Sequence, residues 1–323
     1  MATGEPPRHL TGEAGLLLLP DGIPVREGQA WPVQWRGTLA VLRRLPPLPG
    51  SRRGRASLLA DVGWLHRFLA QLAGTGFPAP CPLPAFAGRS FAKADDGVWE
   101  LLSYLPGHPV GWADEPAMEE IGALLARFHS TAATLATPEQ RPGALPLAAV
   151  PDILLSNQLT AVCPDHSRAQ IIRRLAGQLA EDLARAHAAG LRPTVIHGDF
   201  TNHNVIAGGY PPAPTGVIDF ALAHLEVTLA DIGYGLWRSG RPRQDASELS
   251  PSRLRRFLHG YARHIPLSPH EAELIPVFLK GRGLQMIAKR VQARRPEFGM
   301  LTQVLWTTAN AALIADACHA ALN

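Results

Sequence analysis

The sequence predicts an α+β protein with two lobes, a small β-rich N-terminal lobe over residues 1–105 and a larger helical C-terminal lobe over residues 106–323. Three observations support this fold class. Short apolar segments separated by Gly and Pro fill the first hundred residues, as is typical of strands. Apolar residues recur at helical spacing through most of the remaining chain. The length of 323 residues is sufficient for two lobes that each have a core.

The first lobe is expected to contain several strands and one helix. Residues 16–19, 30–35 and 37–45 are apolar segments bounded by turn residues, and they predict three strands. Residues 56–72 carry apolar side chains at helical spacing, which predicts a helix. Residues 98–105, closed by a Pro-Gly pair, predict a buried strand that leads out of this lobe.

The second lobe is predicted to be mainly helical. Helices are expected at residues 118–135, 168–189 and 229–237, where apolar side chains recur every three or four positions. A further helix should begin at Ser268, because a proline follows in the first turn and Glu271 stands where a capping box needs it. Helices are expected to dominate from there onward.

The composition is typical of a folded domain and not of a disordered or membrane protein. Hydrophobic residues make up 46 % and charged residues 18 % of the chain, so it can bury a sizeable core. The apolar run at residues 15–20 is far shorter than the ~20 residues that span a bilayer, and it lacks the flanks of a signal peptide. Cys81, Cys163 and Cys318 form neither a metal-binding pattern nor an even disulfide framework. We therefore expect a cytoplasmic protein without a membrane partner.

The charge balance is basic, with a formal net charge of +4 and a pI near 9.2. Such a balance can indicate nucleic-acid binding. Here the basic residues form small groups without interleaved aromatic residues or a known binding module. Solvated surfaces together with an attraction for nucleotide phosphate explain the charge better, so no nucleic-acid partner is expected.

Residues 195–220 contain the most informative pattern in the chain. Asn204 follows Asp199 by five positions, and Asp219 ends the next apolar segment. Phosphoryl transfer needs one carboxylate to accept the proton of the attacking hydroxyl, and an amide oxygen and a second carboxylate to hold Mg²⁺. A hairpin whose turn is merely rich in Asn and Asp is the alternative explanation. The correct spacing of all three residues, each beside an apolar segment, favours phosphoryl transfer.

The same segment resembles the signature of the protein-kinase-like fold, in which His-x-Asp is followed by Asn and then by an apolar strand that ends in Asp-Phe. The chain has His-Gly-Asp where protein kinases have His-Arg-Asp, and Ile-Asp-Phe-Ala where they have Asp-Phe-Gly. Both departures resemble the aminoglycoside phosphotransferases, homoserine kinases and choline kinases. The resemblance spans roughly residues 15–290 and is strongest in 195–235. It implies a nucleotide-binding first lobe, and a second lobe with the catalytic loop and the acceptor pocket.

The resemblance assigns nucleotide-binding roles in the first lobe. Arg43 stands where the family places a strand-3 lysine that binds the α- and β-phosphates, although it could also be a surface residue. Asp61 lies on the following helix and would pair with Arg43, unless it is only solvated. Gly28 occupies the position of the phosphate-covering hairpin, or makes a simple turn. Ser103 and Tyr104 lie where the lobes join and would offer backbone groups to adenine.

The resemblance also assigns roles in the catalytic segment. Asp199 is the expected catalytic base, and Asn204 and Asp219 are the expected Mg²⁺ ligands. His197 is expected to be structural and to bond backbone around the loop. Asp231 resembles a structural acid of the family that bonds loop backbone.

These assignments predict a phosphotransferase that moves the γ-phosphoryl group of ATP or GTP to a hydroxyl of a small molecule. Amino alcohols, amino acids, sugars and antibiotics are all possible acceptors. Only six acidic residues follow residue 235, which disfavours a polycationic acceptor; they are Asp245, Glu248, Glu271, Glu273, Glu297 and Asp316. The alternatives are a non-catalytic nucleotide-binding regulator and, with less support, a protein kinase.

Overall fold

The computed structural model describes residues 6, 11–12, 14–19, 30–45, 55–94, 97–111, 115–136, 139–188, 190–209, 213–246 and 248–321. An antiparallel sheet comes first in the chain, and helices dominate the larger part that follows. This arrangement confirms the predicted α+β class. Gly28 lies outside the described residues, so its place in the site stays a prediction.

A five-stranded antiparallel sheet forms the first lobe, with the order β1-β2-β3-β5-β4. Its strands are β1 (Leu16–Leu18), β2 (Ala30–Trp35), β3 (Thr38–Leu45), β4 (Phe91–Ala94) and β5 (Gly97–Ser103). Arg36 and Gly37 join β2 to β3 with φ values of 50° and 80°. Positive φ at both central residues is the requirement of a two-residue type I′ hairpin turn. The strand therefore begins at Thr38, one residue later than predicted.

Helix α1 (Arg55–Gly74) follows β3 and belongs to the larger of two cores. One face of the sheet buries its own cluster, which includes Val33, Leu42 and Trp99. The helix instead turns Phe68 toward the second lobe, where its ring meets the ring of Phe128 edge to face at 6.3 Å. The helix thus fixes the first lobe to the second through aromatic packing.

Two small sheets surround residues 197–204. One has the order β6-β8-β9 and the other pairs β10 with β7. Their strands are β6 (His108–Pro109), β7 (Thr194–Ile196), β8 (Val205–Gly208), β9 (Ala213–Val217) and β10 (His224–Glu226). The segment that leaves the first lobe forms β6 of the three-stranded sheet. Directly after it, the backbone nitrogen of Val110 donates to the backbone oxygen of Val205 at 3.0 Å.

The second lobe is built from helices that pack around a long central helix, α8. These helices are α2 (Ala117–Thr134), α3 (Val150–Leu155), α4 (Asn157–Val162), α5 (His166–Ala188), α6 (Leu229–Ser239), α7 (Pro251–Ala262), α8 (Pro269–Gln292), α9 (Met300–Ala309) and α10 (Ala311–Ala320). The predicted capping box forms at the start of α8, between Ser268 and Glu271. Among the described helices, none has the length and apolar character that a membrane crossing requires.

Most of the predicted elements match the structure, and the helices α3, α4 and α7 and the strand β4 were not predicted. The predicted strands and the helices at 56–72, 118–135, 168–189 and 229–237 agree with the structure to within two residues at each end. Helices α3 and α4 have six residues each, so they are too short for periodicity to reveal them. Strand β4 has the sequence Phe-Ala-Lys-Ala and forms through its pairing with β5.

Candidate active site

The segment from residue 197 to residue 204 places Asp199 and Asn204 together. β7 ends just before this segment and β8 begins just after it. The side-chain nitrogen of Asn204 donates to the backbone oxygen of Asp199 at 2.9 Å and to its carboxylate at 3.1 Å. The amide nitrogen is therefore committed to Asp199, and the amide oxygen of Asn204 is left to accept or to coordinate.

The β8–β9 hairpin brings Asp219 to the same place. The backbone nitrogen of Ile218 donates to the backbone oxygen of Asn204 at 2.8 Å. Asp219 itself has a left-handed backbone, with φ and ψ both 61°. Such a conformation costs ~1–3 kcal/mol and is concentrated at functional sites. The structure thus collects the three predicted catalytic-segment residues at one end of this hairpin.

The donor atoms that meet here suit Mg²⁺. The Asp219 carboxylate, whose side chain is 34 % exposed, and the Asn204 amide oxygen are hard oxygen ligands. In the described part of the chain, no group of three or more His, Cys, Asp or Glu side chains is arranged to hold a metal. Magnesium in phosphate-transfer sites needs only one or two protein carboxylates, because phosphate and water oxygens complete its shell. The residues present therefore fit this ion.

Asp231 and His197 hold the backbone of the loop. The Asp231 carboxylate, at the start of α6, accepts from the backbone nitrogens of His197 at 2.6 Å and Gly198 at 2.8 Å. The His197 ring accepts from the backbone nitrogen of Asp199 and donates through Nε2 to the Ile218 oxygen at 2.9 Å. Burial alone would raise the pKa of Asp231, but the hydrogen bond and charge of His129 outweigh it and lower that pKa.

Gly198 allows the loop to lie against the segment that follows Asp219. Its φ is 76°, and a Cβ there would lie 2.2 Å from the Leu222 backbone oxygen. No larger side chain fits without moving one of the two segments. Arg282, buried on α8, donates to the backbone oxygen of Gly198. The chain before Asp199 is therefore fixed both by this bond and by its close approach to Leu222.

Arg43 reaches the site from β3, and its partners differ from those predicted. Its Nη1 donates to Asp219 at 2.8 Å, and its Nε donates to Glu100 on β5. His66 on α1 bonds the second oxygen of Glu100 at 2.6 Å, and its other ring nitrogen bonds the Ser90 hydroxyl at 2.6 Å. Burial alone would raise the pKa of Glu100, but Arg43 and His66 lower it to about 2. The acid that orients Arg43 is thus an ionised residue of the neighbouring strand.

The predicted ion pair between Asp61 and Arg43 is not formed. Asp61 instead binds Arg141, whose Nε donates to it at 2.7 Å. Arg141 in turn donates to the backbone oxygens of Ala221 at 2.7 Å and Ala223 at 3.1 Å. Asp61 lies on the side of α1 that contacts Arg141. Arg43 lies on β3, where its partner is Glu100 of the neighbouring strand. Through Arg141, Asp61 supports the backbone that follows Asp219 and does not orient Arg43.

Ser103 and Tyr104 lie at the junction of the lobes, as predicted. The backbone nitrogen of Ser103 donates to the Cys81 oxygen at 2.8 Å, and that of Tyr104 donates to the Leu39 oxygen at 3.4 Å. Both donors are therefore used within the first lobe. In a hydrogen bond between these residues and a nucleotide base, the base would donate and their carbonyl oxygens would accept.

Asp199 is more basic than an ordinary aspartate. Burial raises its pKa, and the charge of Asp219 acts in the same direction. Electrostatic interactions with His197, Arg282 and Arg238 oppose this shift without cancelling it. A raised pKa favours proton acceptance, which is the role that the spacing predicts.

Four residues of the site were missed by sequence reasoning: Glu100, His66, Arg141 and Arg282. Glu100 alone had a detectable signal, because it is the acid within an otherwise apolar strand segment and a buried acid needs a cation. The other three are polar residues of helices and loops, and their partners lie far away in the sequence.

Comparisons with known proteins agree with this geometry. The chain is 26 % identical to a homoserine kinase of Methylobacterium sp. (strain 4-46) over 234 residues, which are 72 % of this chain and 69 % of the relative. A microcompartment-associated aminopropanol kinase superposes with a TM-score of 0.63 at 16 % identity, over 95 % of this chain and 93 % of that one. An amicoumacin kinase in complex with AMP-PNP and Ca²⁺ gives a TM-score of 0.60 at 16 % identity, over 93 % and 88 % of the two chains.

The two solved structures confirm the kinase-like two-lobe fold. The model of the phosphotransferase enzyme family matches residues 24–271, a segment that contains β2 to β5, α1, the loop with Asp199 and Asn204, and Asp219. Since this segment is well over half of the chain, the protein belongs to the phosphotransferase enzyme family and is one of its small-molecule phosphotransferases.

Proposed function

We propose that the protein transfers the γ-phosphoryl group of ATP or GTP to a hydroxyl group of a small molecule, with Mg²⁺ as cofactor. The observation that carries this proposal is the meeting of Asp199, Asn204 and Asp219, with Arg43 bonded to the last. The presence of AMP-PNP and Ca²⁺ in the related amicoumacin kinase supports the use of a nucleotide and a divalent ion. The nucleotide would bind against residues 1–105, and the acceptor would bind in residues 106–323.

Asp199 is the group that accepts the proton of the acceptor hydroxyl. The acceptor oxygen attacks the γ-phosphorus, the bond from that phosphorus to the β–γ bridging oxygen breaks, and ADP or GDP leaves. As the new bond forms, the hydroxyl proton passes to the Asp199 carboxylate. The transfer is late, because even a carboxylate of raised pKa is too weak a base to ionise an alcohol beforehand. Asn204 and the loop backbone keep Asp199 in position for this step.

Asn204 and Asp219 would hold Mg²⁺, and Arg43 would bind the phosphates that are not transferred. When bound, the ion offsets the negative charge that develops on the phosphate oxygens. Glu100 keeps Arg43 ionised and oriented, and Asp219 places the guanidinium next to the metal ligands. The supply of ATP and GTP in the cytoplasm and the three free cysteines support the proposal that the enzyme works there.

A coupled ADP-release assay tests this function. The acceptors include homoserine and 1-amino-2-propanol, after the names of the relatives, together with sugars and antibiotics, and ATP and GTP are compared in parallel. Asp199→Asn should lower kcat by ~10²–10⁴ with nearly unchanged nucleotide affinity, because it removes only the proton acceptor. Asp219→Asn should abolish Mg²⁺-dependent turnover while the protein stays folded.

Two outcomes would contradict the proposal. Wild-type turnover by purified Asp219→Asn with Mg²⁺ would show that this carboxylate is not a metal ligand. Nucleotide binding without phosphorylation of any hydroxyl compound would favour the regulator as the function.

A further inference from the structure

Residues 139–143, which we call the bridging segment, are bonded to helix α1 of the first lobe. The ring nitrogen of Trp64 donates to the backbone oxygen of Glu139 at 2.9 Å. The backbone nitrogen of Gly143 donates to the Asp61 carboxylate at 2.8 Å. The bridging segment follows α2 in the chain and is part of the second lobe. These bonds therefore fix a loop of the second lobe to a helix of the first.

Arg141 is the residue of the bridging segment that also reaches the catalytic side. Its Nε donates to one oxygen of Asp61 at 2.7 Å, and its Nη2 donates to the other oxygen. Its Nη1 donates to the backbone oxygens of Ala221 at 2.7 Å and Ala223 at 3.1 Å. Arg141 and Asp61 are both buried. One buried guanidinium thus joins the acid of α1 to the chain that directly follows Asp219.

The contacts around Asp219 matter because its backbone conformation is unfavourable. Its φ and ψ are both 61°, a left-handed region that a residue other than glycine keeps only where the surroundings hold it there. Before it, the Ile218 nitrogen is bonded to the Asn204 oxygen, and the Asp219 carboxylate itself is bonded to Arg43. The chain after Asp219 needs a constraint as well, since relaxation of the backbone there would rotate the carboxylate.

Arg141 provides this constraint on the backbone. An Nη atom of arginine carries two N–H groups, so Nη1 can serve the oxygens of Ala221 and Ala223 together. The ring of Phe220, which packs against the ring of His197 at 4.6 Å, is a second constraint on the same stretch. The ring fixes a side chain, whereas Arg141 fixes two carbonyl groups of the main chain. A shift of this backbone would break both of its bonds to Arg141.

We propose that Arg141 is a positioning residue for Asp219 and sets the affinity of this carboxylate for the divalent ion of the reaction. Replacement of residues that orient a metal ligand without touching the metal typically changes metal affinity ~10–100-fold. Asp61 takes part because its two oxygens fix the plane of the guanidinium. The inference rests on the proposed function, in which Asp219 is a metal ligand.

The test measures how strongly Mg²⁺ promotes nucleotide binding, which requires no turnover. AMP-PNP is titrated calorimetrically in excess Mg²⁺ and in EDTA, and the ratio of the two affinities is the metal-dependent gain. Arg141→Lys keeps a positive charge beside Asp61, but a single Nζ cannot serve that carboxylate and two backbone oxygens at once. We expect the gain to fall roughly tenfold, while the affinity in EDTA stays near its wild-type value.

Turnover provides a second measurement. In the ADP-release assay, the Mg²⁺ concentration that gives half the maximal rate should rise in Arg141→Lys by a factor similar to the loss of the metal-dependent gain. Excess Mg²⁺ should restore most of kcat, because the ligands themselves are intact. A variant that was merely less stable would show a lower melting temperature without this recovery.

Arg253→Lys is the matched control. Arg253 is buried on α7 and donates through Nε to the backbone oxygen of Ser239 at 3.0 Å. The same substitution there should lower the melting temperature and leave the metal-dependent gain unchanged. If Arg141→Lys does not fold, Asp61→Asn combined with Arg141→Gln removes both charges of the buried pair, so that neither is left without its partner. This double variant should show the same loss of the gain.

Two results would overturn the inference. A wild-type gain in the folded Arg141 variants would show that the packing of Phe220 is enough to orient Asp219. An equal loss of affinity in EDTA and in Mg²⁺ would show that Arg141 acts on nucleotide binding as a whole and not on the ion. The proposed function is judged separately: it fails if the wild-type protein consumes no nucleotide with Mg²⁺, or if this consumption survives in Asp219→Asn.

Discussion

Arg43 meets its two carboxylates through different nitrogen atoms, and this distinguishes it from a lysine at the same position. Its Nε faces Glu100 and its Nη1 faces Asp219. Burial alone would lower the pKa of Arg43, but the two carboxylates outweigh it and raise that pKa. A lysine has a single charged atom and could approach only one of the two acids closely. The arginine therefore links the sheet to Asp219, the proposed metal ligand.

The first residue-scale prediction concerns Arg43. Arg43→Ala should lower nucleotide affinity and kcat together, because the guanidinium meets phosphate charge before and during transfer. It should also lower the melting temperature, since Glu100 would stay buried without its cation, at a cost of roughly 3–5 kcal/mol. Arg43→Lys should recover part of the affinity and part of the rate. Nucleotide titration, ADP release and thermal unfolding measure the three effects.

The control for this series is Arg67→Ala, which removes an exposed arginine from α1 in the same lobe. It should leave all three quantities near their wild-type values. Unchanged nucleotide affinity and kcat in Arg43→Ala would show that Arg43 does not contact phosphate.

The partner of Arg43 illustrates which part of the site a sequence can predict. Their spacing in one short segment identified Asp199, Asn204 and Asp219 as a group, because they flank a single hairpin, β8–β9. Glu100 is 57 residues from Arg43 and becomes its neighbour only through the register of β3 and β5, in which the two residues are direct partners. Registers between distant strands depend on the whole sheet. Asp61, which stands on the expected helix, was therefore the wrong prediction.

At the scale of elements, α2 and α7 approach each other closely at two glycines. A Cβ at Gly122 would lie 1.9 Å from the Phe257 backbone oxygen, and a Cβ at Gly260 would lie 1.8 Å from the Glu119 backbone oxygen. The two glycines thus allow each helix to touch the backbone of the other. Helix α2 also carries His129, which bonds Asp231, the acid that holds the loop backbone at residues 197 and 198.

We predict that Gly122→Ala and Gly260→Ala each destabilise the protein by at least ~1–3 kcal/mol, the usual cost of overpacking. Alanine favours a helix over glycine by about 1 kcal/mol, and the backbone clash should exceed this gain. Gly177→Ala on α5 is the matched control, because nothing lies within 4 Å of a Cβ there. Urea unfolding should show a lower midpoint for the first two variants and an equal or higher midpoint for the third. Equal midpoints for all three variants would show that α2 and α7 can move apart to accept a methyl group without loss of stability.

Element lengths explain most of what the sequence predicted about the fold. Helices such as α2 and α5 repeat their apolar pattern over several turns, and residues 118–135 and 168–189 were recognised for this reason. Short elements that complete the site, such as β6 and β10, are two and three residues long and exist through pairing with β8 and β7. Such pairings carry no local signal in the sequence.

At the scale of the whole molecule, α8 carries positive charge into the interior. Arg282 is buried, and Lys289 lies two turns further along the helix. Burial, together with the charges of Arg282 and Arg141, lowers the pKa of Lys289 from 10.5 to about 7. A lysine whose pKa is lower in the folded state binds fewer protons there than in the unfolded chain.

The sign of the effect on stability follows from these two pKa values. Above pH 10.5 Lys289 is neutral in both the folded and the unfolded state, so it does not reduce the free energy of unfolding. As the pH falls from 10.5 to about 7, the unfolded chain gains a proton that the folded protein does not, so the free energy of unfolding decreases. Below about pH 7 Lys289 is protonated in both states, and the decrease in the free energy of unfolding has reached its full size.

We therefore predict that Lys289→Met raises the melting temperature most below pH 7, and that its advantage shrinks as the pH rises toward 10. Lys93→Met, at an exposed position on β4, is the control and should show no such trend. Thermal unfolding across this pH range measures both. An advantage that is independent of pH would mean that Lys289 keeps its charge in the folded protein.

The position of Glu100 also limits how such an enzyme can be switched on and off. In protein kinases the ion pair of the phosphate-binding residue spans a strand and a mobile helix, and outward movement of the helix inactivates the enzyme. Here both partners are register neighbours in one sheet, and α1 contributes only His66 behind them. A movement of α1 alone would therefore leave the two partners side by side in the sheet. Inactivation by outward movement of that helix, as in protein kinases, is not expected here.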